Sequence, residues 1–136
     1  MRKYNIILVE NDEDEQEFMK EGFDAAGLFN IIAQVKNGDH LLEWLRDYPE
    51  DKPDVILSDL NMPGKNGYDI IHDIKSSAEW SHIPVIITST SSTKTIIEKC
   101  MALGAADYIV KPDTFIEYVP YVRNLHRCIE EKQLVK

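Results

Sequence analysis

A chain of 136 residues is the size of one ordinary domain, and 43% apolar with 29% charged residues is the composition of a chain that buries a core. The formal net charge of -9 argues against nucleic acid as a partner, because phosphate binding needs clustered Lys and Arg. Cys100 and Cys128 show no CxxC spacing and no accompanying metal ligands, so reduced thiols are expected. The apolar stretch Ile6 to Val9 is too short for a signal-peptide core or a membrane span, which predicts a cytoplasmic protein without membrane contact.

In chain order, the first apolar run, Ile6 to Val9, reads as a strand and ends in Glu10-Asn11-Asp12. Eight carboxylates then crowd into Glu10 to Asp24, most of them explained as the exposed face of an acidic helix whose dipole favours negative charge at its start. Met19, Phe23 and Ala26 share the opposite face, and Gly27 stands where a left-handed cap is wanted. Asp12 is the natural N-terminal cap. A second strand is expected at Ile31 to Val35, then a turn at Asn37-Gly38 and a helix with Leu41, Leu45 and Tyr48 on one face.

The third strand, Val55 to Leu57, runs into Ser58-Asp59-Leu60-Asn61-Met62-Pro63-Gly64 and a helix carrying Ile70 and Ile74. The fourth, Val85 to Ile87, ends in Thr88-Ser89-Thr90 before a helix with Ile96, Cys100 and Leu103, closed by Gly104. The fifth, Tyr108 to Val110, ends in Lys111-Pro112. The last helix has an apolar stripe of Val122, Leu125 and Ile129. Pro120 lies inside its expected start near Thr114, which predicts a late or kinked start with the proline in the first regular turn. Lys132 to Lys136 reads as a frayed end. Five alternating strand-helix units predict an α/β, doubly wound, open parallel sheet whose ligands gather at the carboxyl ends of the strands.

Those ends carry acidic groups from two strands, a hydroxyl from a third and an ammonium from a fourth. Oxygen ligands of this kind suit Mg2+, which takes one or two carboxylates, keeps waters and uses substrate phosphate. A carboxylate nucleophile, a cation and a lysine together suit phosphoryl transfer through an aspartyl phosphate, with Asp59 the best-placed nucleophile.

From about Tyr4 to about Glu131, the chain resembles the receiver domains of two-component response regulators. The resemblance rests on Leu8-Val9-Glu10-Asn11-Asp12, Ser58-Asp59-Leu60-Asn61-Met62-Pro63-Gly64 with Gly67, Ile83-Pro84-Val85-Ile86-Ile87-Thr88-Ser89, Gly104-Ala105 and Tyr108-Ile109-Val110-Lys111-Pro112, in that order and spacing. It implies a flavodoxin-like fold of five parallel strands in the order 2-1-3-4-5 with five helices. It also implies a single receiver domain over 1-136 with no output domain, which is a signalling module and not an enzyme acting on a separate substrate. The segment Asn61 to Gly67 further resembles stand-alone receivers paired with hybrid or phytochrome-type kinases.

By that resemblance Asp59 is the phosphoacceptor, served by a sensor or hybrid histidine kinase or a phosphotransfer protein. Lys111 contacts the acceptor carboxylate and later a phosphoryl oxygen, across a Lys111-Pro112 bond expected to be cis. Ser89, rather than Thr88 or Thr90, supplies the switch hydroxyl, and Tyr108 is the aromatic switch residue. The metal ligands are Glu10, Asn11, Asp59 and the main-chain carbonyl of Asn61. The family usually has two acidic residues where Glu10 and Asn11 stand, so a neutral amide at Asn11 predicts weak Mg2+ binding. Asp12 could compensate, but its role as a helix cap is simpler. The side chains of Asn61 and Ser91 stand where they can affect hydrolysis of the phosphate.

Output is expected through a protein target, or a phosphorylation-dependent homodimer, on the face of the fourth helix, fifth strand and last helix. Tyr118 and Tyr121 stand either at that contact or packed beneath it. Two other readings are an unphosphorylated pseudo-receiver, suggested by Asn11, and a metal-dependent phosphatase of the haloacid dehalogenase type. The second lacks the required Asp two residues beyond the nucleophile, where Asn61 stands. Flavin binding follows from the fold class alone.

Overall fold

The computed structural model describes residues 2–113 and 118–136. Its elements alternate as expected: β1 (Tyr4–Val9), α1 (Glu13–Ala26), β2 (Phe29–Val35), α2 (Gly38–Asp47), β3 (Val55–Asp59), α3 (Gly67–Lys75), β4 (Val85–Ser89), α4 (Lys94–Leu103), β5 (Asp107–Val110) and α5 (Tyr118–Glu131). The strands form one parallel sheet in the order β2-β1-β3-β4-β5, the order implied by the resemblance.

The near-continuous apolar strands are explained by two cores, one on each face. Because side chains alternate along a strand, Ile7 and Val9 of β1 join Leu41, Ile56, Ile70, Val85 and Cys100 beneath α2, α3 and α4. Ile6 and Leu8 turn the other way, joining Met19, Phe23, Leu57, Ile86, Val122 and Leu125 beneath α1 and α5. The helix ends follow local chemistry. Asp12 caps α1, Asn37 caps α2, and Asn66 with Asp69 makes a capping box on α3. Gly27 and Gly104 adopt left-handed conformations at the C-termini of α1 and α4.

Four expectations change. No cis peptide bond occurs among the described residues, so the bond before Pro112 is trans, the state that an X–Pro amide favours by about 0.5–1 kcal/mol. The end of the chain is docked: Leu134 N–H donates to the Ile129 carbonyl at 3.0 Å, Lys132 pairs with Asp107 at 2.8 Å, and Leu134 and Val135 pack on the core. Leu103 is exposed, Cys100 being the one buried side chain of α4, and Tyr48 is exposed beyond the end of α2, stacked on Trp44. The expected start of the last helix near Thr114 lies outside the described residues. Pro120 is the third described residue of α5.

Helices α1 and α5 make the most extensive helix–helix contact, and a glycine permits it. A Cβ on Gly22 would stand 2.6 Å from Cβ of Tyr118. Gly22→Ala should therefore lower stability by about 1–3 kcal/mol through overpacking, although alanine is the better helix former. A lower urea midpoint at unchanged m is the expected result, and an equal or higher midpoint refutes the assignment.

Candidate functional site

The strand order places the carboxyl ends of β1, β3, β4 and β5 side by side, and the chemistry gathers on Lys111. Its Nζ lies 2.7 Å from Glu10 Oε1, 3.3 Å from Asp59 Oδ1 and 3.5 Å from Glu15 Oε1. The ammonium is almost out of solvent, with 9% of the side chain exposed, and the Glu10 side chain is at 3%. Burial pulls the Lys111 pKa down, but the Glu10 hydrogen bond and the charges of Asp59, Glu10 and Glu15 outweigh it, holding the pKa above the ordinary lysine value. Burial likewise pushes Glu10 above the usual carboxylate range, against the opposing pull of Lys111.

Each member is fixed from its own element. Asp59 Oδ1 accepts the Leu60 N–H at 2.9 Å. Glu10 Oε2 accepts the Asp12 N–H at 3.2 Å, while Asp12 Oδ1 accepts the Glu15 N–H at 3.0 Å. Asp12 therefore acts as the helix cap it was expected to be. Gln16 ties the ends of two strands together, donating to the Glu10 carbonyl at 2.7 Å and the Val35 carbonyl at 3.2 Å. Gly67 lets α3 start against the acceptor loop: a Cβ there would meet Leu60 Cα at 2.9 Å and the Asp59 carbonyl oxygen at 3.0 Å.

Ser89 and Tyr108 are joined through Ser91. Ser89 Oγ accepts the Ser91 N–H at 3.2 Å, and the Tyr108 hydroxyl donates to the Ser91 carbonyl at 2.7 Å. Both are buried. Thr88 has a structural role instead: its Oγ1 donates to the Ile109 carbonyl at 2.8 Å and accepts from the Tyr121 hydroxyl at 2.6 Å. Tyr121 is buried, as is Tyr118, whose hydroxyl donates to Glu15 Oε1, so these tyrosines pack within the molecule and are not a contact surface. Burial pushes both phenols well above the ordinary tyrosine value.

Sequence reasoning missed Glu15 and Gln16, and it did not connect Tyr118 with the site. Glu15 was hidden in the acidic run assigned to a solvated helix face, and what distinguishes it is its place five residues beyond Glu10, in the first turn that faces the site. No pattern in the sequence pairs it with Tyr118.

Every candidate metal donor is an oxygen: the carboxylates of Glu10 and Asp59, the amide of Asn11 and the carbonyl of Asn61. Among the described residues no three Asp, Glu, His or Cys side chains form a ready-made cage. Mg2+ does not need one, since it keeps waters and takes its remaining ligands from phosphate. The donors fit a hard divalent cation.

The response regulator receiver domain profile matches residues 6–122. A probable cyclic di-GMP phosphodiesterase of Vibrio cholerae is 36% identical over 107 residues, covering 79% of this chain and 23% of its own. The two-component response regulator ARR3 of Arabidopsis thaliana is 39% identical over 89 residues, covering 60% of this chain and 38% of its own. The chain thus spans well under half the length of these two relatives. Among solved structures, the phosphorylated cyanobacterial phytochrome response regulator RcpA superposes with a TM-score of 0.80 at 27% identity, covering 92% of each chain. The chain belongs to the response regulator receiver domain family.

Lys111 neutralises buried carboxylates, so its removal leaves Glu10 and Asp59 unpaired. Lys111→Met should cost about 3–5 kcal/mol at neutral pH. The sign with pH is fixed. Without the ammonium, the Glu10 pKa, already raised by burial, rises further, which penalises folding above the ordinary carboxylate range and not below it. Urea titrations at pH 7 and at pH 4 should show the deficit shrinking on acidification; a deficit constant with pH contradicts this account.

Proposed function

We propose that this receiver takes a phosphoryl group onto Asp59 from the phosphohistidine of a sensor or hybrid histidine kinase, or of a phosphotransfer protein, and signals by changing its protein contacts. The observation that carries the reading is Lys111 Nζ standing between Glu10 and Asp59 at a nearly closed strand-end site. The phosphorylated state of RcpA, which shares the fold at 27% identity, supports it.

The Leu60 N–H and Lys111 both engage Asp59 through Oδ1, and the attack on phosphorus is accordingly given to Oδ2 in this reading. The new bond is Oδ2–P, the bond broken is that from phosphorus to the imidazole nitrogen, and the electron pair leaves with the imidazole. Lys111 remains protonated and exchanges carboxylate contacts for a phosphoryl oxygen, acting by charge and not as a base. Glu10, Asp59, Asn11 and the Asn61 carbonyl would hold Mg2+, which supplies positive charge to the phosphoryl oxygens.

Ser89 is the hydroxyl within reach of that group by its strand position. Turning it changes its bond to Ser91 and, through the Ser91 carbonyl, the anchor of Tyr108. The signal then leaves by the α4–β5–α5 face toward a protein target or a second copy, through the differential affinity of that partner for the phosphorylated state.

With Mg2+ and a small acyl phosphate, the protein should form a hydroxylamine-labile adduct, read by intact mass. The adduct should be absent in Asp59→Asn and present in Ser89→Ala, in which the conformational response is lost. Failure to form an adduct with any donor or kinase would instead favour an unphosphorylated binding module.

A further inference from the structure

Among the described residues, Glu15 is the one carboxylate paired with Lys111 that the proposed transfer chemistry does not use. Its Oε1 forms an ion pair with the Lys111 ammonium at 3.5 Å and accepts a hydrogen bond from the Tyr118 hydroxyl. Its main chain is fixed as well, since its N–H is the one bound by the Asp12 cap. Tyr118 reaches it because Gly22 has no side chain to keep α5 away from α1. A carboxylate engaged by two groups on a fixed main chain, with 28% of its side chain exposed, is not a freely solvated surface charge.

The charges explain why it is held. Glu10 and Asp59 against Lys111 leave one net negative charge at the strand ends, and the adjoining Asn11 is neutral. With the ammonium already counted, a dication faces a weak field there. Glu15 pairs with the same ammonium and raises the net negative charge of the group from one to two. At separations of several ångströms in a partly buried site, one added charge is enough to change the affinity of a dication about three- to tenfold.

We propose that Glu15, fixed by Tyr118, is a positioning residue that supplies from α1 the negative charge missing at Asn11. It thereby sets the affinity of the Glu10–Asp59 site for a divalent cation without ligating it. The proposal rests on the reading of that site as a Mg2+-assisted phosphoacceptor.

The test is calorimetric titration of Mg2+ into the unphosphorylated protein at low ionic strength. Glu15→Gln should weaken binding about three- to tenfold. Adding Asn11→Asp to Glu15→Gln should restore it, because the charge is returned at a neighbouring position. Tyr118→Phe, which keeps the charge and frees the carboxylate, should lose less than Glu15→Gln. Glu17→Gln, an exposed carboxylate two residues on and turned to another side of the helix, should leave affinity unchanged. Equal affinity in Glu15→Gln and the unaltered protein overturns this inference alone, as does an equal loss in Glu17→Gln. A flat titration of the unaltered protein overturns it together with the metal part of the proposed function. If Glu15→Gln does not fold, Glu15→Asp and Tyr118→Phe decide by the same titration, and unaltered affinity in both refutes the proposal.

Discussion

One buried ammonium organises this molecule. Lys111 follows the last strand of the sheet, yet its partners come from the first strand, the third strand and the first helix. No local rule brings these groups together, because Glu10 and Lys111 are 101 residues apart. Their meeting depends on β1 lying inside the sheet with β3 beside it, so that Glu10 and Asp59 emerge next to each other. The same order brings β4 and β5 alongside, leaving Ser89 in register with Val110, one residue before Lys111. Burial of unlike charges is costly unless every group is partnered, and among the described residues no buried side-chain polar atom lacks a partner. The site is therefore also a condition on folding.

Much of this was legible because it depends on short-range rules. Apolar runs of the length of strands, amphipathic helix faces and the caps at Asp12 and Gly27 each declare themselves within a few residues. Asp59 was identified by its position at a strand end, and Lys111, Ser89 and Tyr108 by resemblance to the family; the structure sets β3, β4 and β5 side by side. What stayed hidden depends on packing between distant elements. The Tyr118–Glu15 and Tyr121–Thr88 bonds require the particular approach of α5 to α1 and to the sheet, and a tyrosine on an amphipathic stripe has the same spacing whether it faces a neighbour or solvent. The docked end of the chain was missed for the same reason: nothing within Lys132 to Lys136 shows that Asp107 waits across the fold. The trans bond before Pro112 corrects an expectation taken from resemblance alone, and Lys111 still reaches both carboxylates across it.

The helices around the site are not held equally. Helix α1 carries a side-chain cap, and α5 has six buried side chains and a hydroxyl bond from Tyr121 to the β4 strand end. By contrast, α4 has one buried side chain, Cys100, and the side chain of its N-cap, Thr93, makes no capping bond to the helix, accepting instead from the Ser91 hydroxyl. An element with few buried contacts has the smallest free-energy gap between alternative positions, so it yields first when a neighbouring contact changes. That neighbouring contact is Ser91, which precedes α4 and is bonded to both Ser89 and Tyr108.

This asymmetry gives the direction in which a change at Asp59 travels. A new anion beside Lys111 acts on both sides of the sheet, toward Glu15 and Tyr118 on one face and toward Ser89, Ser91 and Tyr108 on the other. The first path ends in a well-packed helix pair, where the close approach at Gly22 resists displacement, so the response there is electrostatic. The second ends in a lightly anchored helix whose Met101 and Leu103 already face solvent, with Val110 of β5 also exposed. Under the proposed phosphorylation, the α1–α5 side holds the charge in place while α4 moves. A receiver needs both properties, because a site free to relax everywhere would dissipate the contact change before any partner could read it.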